Sequence, residues 1–397
     1  MPFSEFLGNP QAVAEIRAML KGSRVPGALL FAGPDGVGKK VLALMLAKAL
    51  NCERLKDDFC GECRHCRKAE EMLAQTREDL GRRRAIKESQ RRVEGLVYFD
   101  LQLVEPLTRN ILIEQIRQVR NVAYTHPFEF RQRIFIIDQA QAVHWQAVDL
   151  LLKMLEEPPE TTTFILVCPN AHELRPTIRS RCQRIQFLPV EDSVIARVLE
   201  DEGRLPPSQR ALGLRLATGS ISRAKALDVA AFERERRPWI DFLDSVAGSA
   251  DRRPASHAPM SHTPARSSAP TRVSSSTPTL PGAAARAADR GAATEPNWAK
   301  VFDSAKALTA DREAFEATLR TGAILAADLL HVLVSGAESP AVVNLDLAPR
   351  LAAWASRLGL EGIERLKNGL DQAYRLQTRN VNQQLGLEVL AIDVSHR

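Results

Sequence analysis

Residues 33–40 read Gly33-Pro34-Asp35-Gly36-Val37-Gly38-Lys39-Lys40, and what flanks them decides the fold. Before them, Ala28-Leu29-Leu30-Phe31-Ala32 is a short apolar run of strand character. After them, Val41 to Leu50 is an Ala/Leu-rich helical run. Strand, glycine loop, helix is the setting of a phosphate-binding loop. Glycines let backbone N–H groups approach phosphate oxygens, and the helix N-terminus adds a favourable dipole. Lys39 stands where the loop lysine reaches the β- and γ-phosphates. The next position calls for Ser or Thr, whose hydroxyl holds Mg²⁺. Here it is Lys40, whose ammonium cannot ligate a cation and brings positive charge to the place of the metal. A nucleotide scaffold with its metal chemistry lost is expected. An ordinary Gly-rich turn between strand and helix is the plainer alternative.

A second apolar run, Arg133-Ile134-Phe135-Ile136-Ile137-Asp138, predicts a buried strand ending in a carboxylate. In P-loop ATPases this Asp helps hold Mg²⁺. The residue after it is normally Glu, which polarises the attacking water. Gln139 is a neutral amide and cannot take a proton. A core strand with a chance terminal Asp is the alternative. A helix over Val148 to Leu155, ended by Glu156-Glu157-Pro158-Pro159, leads to a β-rich run from Thr163 to Val167. Asn170 lies just past it, where a polar side chain can face phosphate. Ser180-Arg181-Cys182 precedes a strand at Arg184 to Leu188. A strand at Leu96 to Asp100 and a helix carrying Ile113, Ile116 and Val119 complete the alternation. Such alternation specifies a mainly parallel α/β sheet. Near the start, Asn9-Pro10 reads as an N-cap and first helical residue, with Gly22 stopping that helix.

Four of the six cysteines crowd into Cys52-x7-Cys60-x2-Cys63-x2-Cys66. Four thiolates so spaced suit tetrahedral Zn²⁺ filled entirely by protein, hence a structural site. An iron–sulfur cluster and unmetallated thiols are the alternatives, and His65 is a competing ligand placed between Arg64 and Cys66. A zinc staple would hold an excursion that has little core of its own, supplying ~10 kcal/mol or more of folding free energy.

From Val190 onward the pattern is helical, with Gly203 and Gly219 as helix stops. Arg223 follows the Gly219-Ser220 break. A helix from Arg223 to Val246 carries an apolar stripe of Trp239, Ile240, Phe242 and Leu243, more often core than partner site. Residues 249–296 hold seven prolines and no aromatic residue, too little apolar surface to fold. As a random coil they would span roughly 40 Å. Helical periodicity returns at Trp298.

The chain has 397 residues, 45% hydrophobic, enough for two to three domains with real cores. The net charge of +6 sits in two stretches: residues 77–92 carry +4 and residues 249–296 carry +3, so the remainder is close to neutral. A folded basic face is therefore not implied, and solvated charge is the simple reading. No continuous apolar run approaches the ~18 residues of a membrane span. The opening MPFSEFLGNP lacks a secretory pattern. A cytoplasmic protein with no membrane partner is expected.

Together these residues resemble the delta prime family of bacterial DNA polymerase III clamp-loader subunits, within the AAA+ class. The resemblance rests on RVPGALLFAGPDGVGKK, the four-cysteine excursion directly after the loop helix, LLKMLEEPP, Ser180-Arg181-Cys182 and the terminal RNVNQQLGLE. It covers nearly the whole chain except residues 74–95 and 249–296. It implies an α/β AAA+ core at 1–189, with the zinc module at 52–66 and a basic insertion at 74–95. A helical lid at 190–231 follows. An all-α collar that oligomerises takes 232–248 plus 297–397, interrupted by a linker at 249–296. It implies that Arg181 is an arginine finger acting in trans, and that Arg223 is the lid arginine that senses nucleotide. Gly33, Gly36, Gly38, Lys39, Lys40, Asp138, Gln139 and Asn170 form the degenerate nucleotide site, and Cys52, Cys60, Cys63 and Cys66 the metal site. Expected partners are gamma/tau and delta subunits, with the sliding clamp and primed DNA reached through the complex. ATP would be bound by the neighbour, this chain's own loop being empty or non-hydrolysing. Lys40 and Gln139 agree with delta prime and disagree with gamma/tau. An active gamma/tau-type AAA+ ATPase is the alternative, kept alive by Lys39 and Asp138. A zinc-dependent nucleic-acid module using the Arg-rich stretches is a third.

Overall fold

The computed structural model describes residues 2–85, 100–203, 205–247, 298–309, 315–376 and 382–395. The chain divides into two compact units, Met1–Leu227 and Asp228–Arg397. The linker expected at 249–296 lies outside the described residues, as do residues 86–95 of the basic stretch, residues 96–99 and residues 379–381.

In the first unit α1 (Pro10–Lys21) precedes β1 (Ala28–Ala32), α2 (Lys39–Asn51) and α3 (Arg64–Ala85). Then come β2 (Leu101–Val104), α4 (Ile113–Ala123), β3 (Arg133–Ile137), α5 (Val148–Glu156), β4 (Thr162–Cys168), α6 (Pro176–Arg179) and β5 (Gln183–Gln186). All strand pairs are parallel, in the order β2-β3-β4-β1-β5. Alternate residues of each strand face opposite sides. Leu29 and Phe31 pack with α1, α2 and α3, through Ile16, Leu42, Leu46 and Leu80 among others. Leu30, Phe135 and Leu166 pack with α4, α5 and α6, through Ile116, Leu151 and Ile178. Both faces are covered, which is why β1, Ile134 to Ile137 of β3 and Phe164 to Cys168 of β4 read as apolar runs.

Of the strand expected at Leu96 to Asp100 only Asp100 is described; β2 is Leu101–Val104, and Asp100 binds the backbone N–H groups of Phe128, Glu129 and Phe130 (3.0, 2.7 and 3.0 Å) and the Arg133 guanidinium (3.1 Å). Asn9 does not cap α1. Its backbone is left-handed (φ 48°), and its side chain pairs with Leu188, donating to the carbonyl at 3.1 Å and accepting from the N–H at 2.7 Å. The basic stretch from residue 74 is helical through Ala85, continuous with the cysteine excursion. Leu80 is buried in the core, and Arg83 is held by Asp79 at 2.6 Å.

Three helices close the unit: α7 (Asp192–Glu202), α8 (Pro207–Ala217) and α9 (Ile221–Ala226). Gly203 takes a positive φ of 63° and ends α7, the helix stop expected of it. The helix expected from Arg223 to Val246 is two helices, because Asp228 caps a new one: its carboxylate accepts from the N–H of Ala231 at 2.9 Å.

The second unit is all-helical among its described residues: α10 (Val229–Ala247), α11 (Trp298–Leu308), α12 (Phe315–Ser335), α13 (Ala348–Leu376, interrupted at Gly359) and α14 (Gln383–Ser395). Trp239, Phe242 and Leu243 are buried in its core, so the stripe is packing. The indole N–H of Trp239 donates to the Thr318 carbonyl at 2.8 Å, and a Cβ on Gly322 would meet the Trp239 ring at 2.5 Å. By length and composition α12 is apolar enough to cross a membrane; half of that stretch is buried within the protein.

Candidate nucleotide cleft and four-cysteine centre

A parallel sheet gathers the C-terminal ends of its strands on one edge, where ligands of α/β folds bind. The loop 33–40 leaves β1 there, Glu105 follows β2, Asp138 follows β3, and Asn170 lies two residues beyond β4. The loop bends through Gly36 (φ 76°) and Gly38 (φ 98°). A Cβ on Gly38 would meet the Phe6 ring at 2.7 Å, so glycine is also required by space. Gly36, Gly38, Lys39, Lys40, Asp138 and Gln139 line one cleft of about 500 Å³, joined by Asp35, Arg77, Gln141 and Ser222. Gly33 begins the loop, its N–H donating to the Cys168 carbonyl at 3.3 Å.

Lys39 is 5% exposed, its ammonium donating to the carbonyls of Gly33 and Pro34 (2.6 Å to Pro34) with the Asp35 carboxylate at 3.5 Å. Burial pulls its pKa below the ordinary lysine value, and the Asp35 charge offsets part of that. Lys40 sits between two carboxylates. Its ammonium bonds Glu105 and lies 3.2 Å from Asp138. Arg84 holds the other oxygen of Glu105 at 2.8 Å and the Pro106 carbonyl at 3.0 Å. Burial alone would raise the Glu105 pKa; Lys40 and then Arg84 outweigh it and hold the carboxyl below its usual range. Two cations thus balance two acids where a nucleotide site would use a divalent ion.

Of the other expected residues, Asn170 and Arg223 do not line this cleft. Asn170 accepts from the His172 N–H at 2.9 Å, closing a short turn. The Arg223 guanidinium donates to the Thr218 hydroxyl at 2.7 Å. Arg181 precedes β5, so it stands at the sheet edge opposite the phosphate loop. It is exposed, pairs with Glu156 and donates to the Thr177 carbonyl at 2.9 Å. Sequence reading misses Glu105 and Arg84. Glu105 is legible only as the acid ending the run Leu101 to Val104, and Arg84 sits in a run of arginines.

The sulfurs of Cys52, Cys60, Cys63 and Cys66 lie within 4.8 Å of one another. A tetrahedral ion with Zn–S near 2.3 Å needs sulfurs about 3.8 Å apart, so the set fits zinc after small side-chain adjustment. The Cys63 N–H points at the Cys60 sulfur (3.2 Å) and the Cys66 N–H at the Cys63 sulfur (3.4 Å), donors that favour thiolates. Burial acts against the charged form of Cys63, yet hydrogen bonds from the N–H groups of Glu53 and Cys66 and from the Cys66 and Cys60 thiols outweigh it and hold its pKa below the ordinary thiol value, while burial and then the bond to Cys63 push Cys66 up. His65 is turned away, its Nδ1 3.0 Å from the Asn51 carbonyl. The excursion is tied to α1 through Asp58, which accepts from Arg17 at 2.9 Å and from the Phe3 N–H at 3.1 Å.

Residues 8–191 match the family profile described as "DNA polymerase III, delta subunit". This segment resembles that family. The clamp-loader likeness extends to curated proteins. The DNA polymerase III subunit gamma/tau of Mycobacterium bovis is 31% identical over 206 residues, 51% of this chain and 32% of that protein. The tau subunit of Escherichia coli is 30% identical over 231 residues, 57% of this chain and 32% of that protein. The chain thus spans about a third of the length of the curated relatives it matches. Among solved structures, a DNA polymerase III gamma subunit-related protein of Thermotoga maritima aligns over 97% of this chain and 98% of its own, at 12% identity and TM-score 0.40.

Proposed function

We propose that this chain is a non-hydrolysing, delta prime-type subunit of a bacterial clamp loader. The observation that carries this reading is the Lys40 ammonium between Glu105 and Asp138, where hydrolysis needs a metal. Gln139 adds to it, since an amide cannot polarise water as a carboxylate does. Arg181, exposed at the far edge of the sheet, faces away from its own loop and suits a neighbour's ATP. A guanidinium so placed neutralises charge developing on the transferred phosphoryl group, typically worth ~10³–10⁵ in rate. In this account Arg223 is a lid arginine left over from a nucleotide-sensing role.

The partners proposed are gamma/tau and delta subunits, acting on a sliding clamp and primed DNA in the cytoplasm. The all-helical second unit would serve as the collar. Leu385, Val389 and Ile392 are exposed on one face of α14, and Trp298 and Phe302 are exposed on α11; such a face suits assembly. The four cysteines would hold a structural Zn²⁺ that stabilises the excursion without touching substrate.

A gamma/tau-type ATPase is the second reading, favoured by the 30–31% identity to those subunits. Purified chain, assayed alone and after mixing with gamma/tau and delta, separates the two. The first reading expects a stable complex and no ATP turnover by the lone chain. Mg²⁺-dependent turnover by the lone chain, or failure to enter the complex, contradicts it.

A further inference from the structure

The Arg181 guanidinium is already engaged within its own chain. Its Nη2 bonds the Glu156 carboxylate, and its Nη1 donates to the Thr177 carbonyl at 2.9 Å and to the Ser180 hydroxyl at 3.4 Å. These are the two tip nitrogens, the ones that a phosphate would have to meet. A partner that only aimed the side chain would hold Nε and leave the tips open. Both sides of the pair are anchored in one core. Glu156 is the last residue of α5, directly after the buried Met154 and Leu155, and Arg181 follows α6, whose Ile178 is buried in the same cluster. The end of α5 is an unfavourable place for an acid, because a helix C-terminus carries partial negative charge. Glu156 therefore gains nothing from its own helix, and its compensation is the guanidinium. The two side chains remain partly exposed, Arg181 at 33% and Glu156 at 45%, so the pair can open without leaving a charge buried.

We propose that Glu156 is a positioning residue that parks Arg181, so that the guanidinium is released only when a neighbouring subunit presents a triphosphate. This rests on the Arg181 role proposed above. The carboxylate offers one negative charge and two oxygens. The β- and γ-phosphates of ATP offer more of both, in a geometry that a guanidinium also matches. Transfer from Glu156 to the triphosphate is therefore favourable, while neutral or singly charged groups on a partner surface do not draw Arg181 away. Thr177 and Ser180 supply neutral acceptors, which hold the guanidinium more weakly than the charge-assisted bond to Glu156. The restraint is small. A partly exposed ion pair shifts an equilibrium by up to about fivefold, so parking tunes the neighbouring site without silencing it.

The test uses the full chain reconstituted with gamma/tau and delta. ATPase is measured against ATP concentration for wild type, Glu156→Gln, Arg181→Ala and the double variant. Glutamine keeps the size of glutamate at an exposed helix end, so folding is preserved and the charge alone is lost. The portion of kcat/KM that Arg181→Ala abolishes is expected to rise about two- to fivefold in Glu156→Gln, because nothing anionic in its own chain then competes for the guanidinium. In the Arg181→Ala background, Glu156→Gln is expected to change nothing, a dependence that a purely structural role of Glu156 would not produce. A Glu156→Gln complex at or below the wild-type kcat/KM overturns the proposal, since Glu156 would then be idle or would aim Arg181 instead of holding it back. A gain that persists without Arg181 overturns it as well. Either result leaves the Arg181 role standing, as long as Arg181→Ala alone slows the complex. If Arg181→Ala leaves the rate unchanged, the Arg181 role itself fails and the parking of that residue falls with it.

Discussion

The Lys40 ammonium stands 3.2 Å from the Asp138 carboxylate, joining the first turn of α2 to the end of β3. In an active P-loop enzyme those two positions meet through a metal ion; here they meet directly. Under the proposed function, this contact takes the place of the groups that orient water and carry divalent charge. Arg181 lies at the opposite edge of the sheet, before β5, and is unaffected by that replacement.

The pair Arg133 and Asp100 is fully buried, with side chains at 0% exposure. Arg133 is also saturated by the carbonyls of Thr125 and His126 (2.9 Å each). Removing one partner leaves a charge unpaired in the interior. Asp100→Ala should therefore destabilise the first unit by about 3–5 kcal/mol, read as a lower urea midpoint. An unchanged midpoint would show that the pair is not closed in solution.

The same carboxylate gives a pH dependence. Burial opposes ionisation of Asp100, but the N–H groups of Glu129, Phe130 and Phe128, then Arg133, hold its pKa below the ordinary value. Because the folded value is lower than the unfolded one, the stabilisation is full above about pH 4 and is lost as pH falls through the folded value. Glu105, held down by Lys40 and Arg84, acts in the same direction. Urea midpoints should fall between about pH 5 and pH 3, and Asp100→Asn should flatten part of that slope. A midpoint that rises on acidification contradicts the assignment.

Cys66 is fully buried and Cys63 nearly so. Chain purified without chelators should carry about one zinc per molecule, and Cys63→Ser or Cys66→Ser should lose it together with stability of the excursion. Elemental analysis decides this. A metal-free wild type would leave the thiols as plain core residues.

In the second unit, Gly322→Ala would place a methyl group 2.5 Å from the Trp239 ring. Overpacking of that kind costs about 1–3 kcal/mol. The measurement is thermal unfolding of the variant, and an unshifted transition would mean that the helices separate without strain.

Much of the site is legible in sequence because it lies on local signals: a glycine loop between strand and helix, an apolar strand ending in Asp138, and cysteines at short spacing. The Lys40 partners are not. Glu105 is hidden because the run read as a strand, Leu96 to Asp100, stops short of it, whereas β2 is described at Leu101–Val104. Arg84 differs from its neighbouring arginines only in the helix face it occupies, which composition does not reveal. The break between α9 and α10 hides in a helical stretch, since Asp228 acts as a cap only once its N–H partner on Ala231 is in place. Asn9 carries the residue type of a cap, but its longer-range pairing with Leu188 wins.

The most direct test is ATP turnover by the reconstituted gamma/tau, delta and delta prime-type complex with Arg181→Ala against wild type. Arg181 is exposed and its bonds are local, so the variant should fold and assemble normally. The account predicts that the neighbouring site slows by ~10³ or more, removing at least that site's share of the total rate. An assembled complex that hydrolyses ATP at the wild-type rate would contradict it.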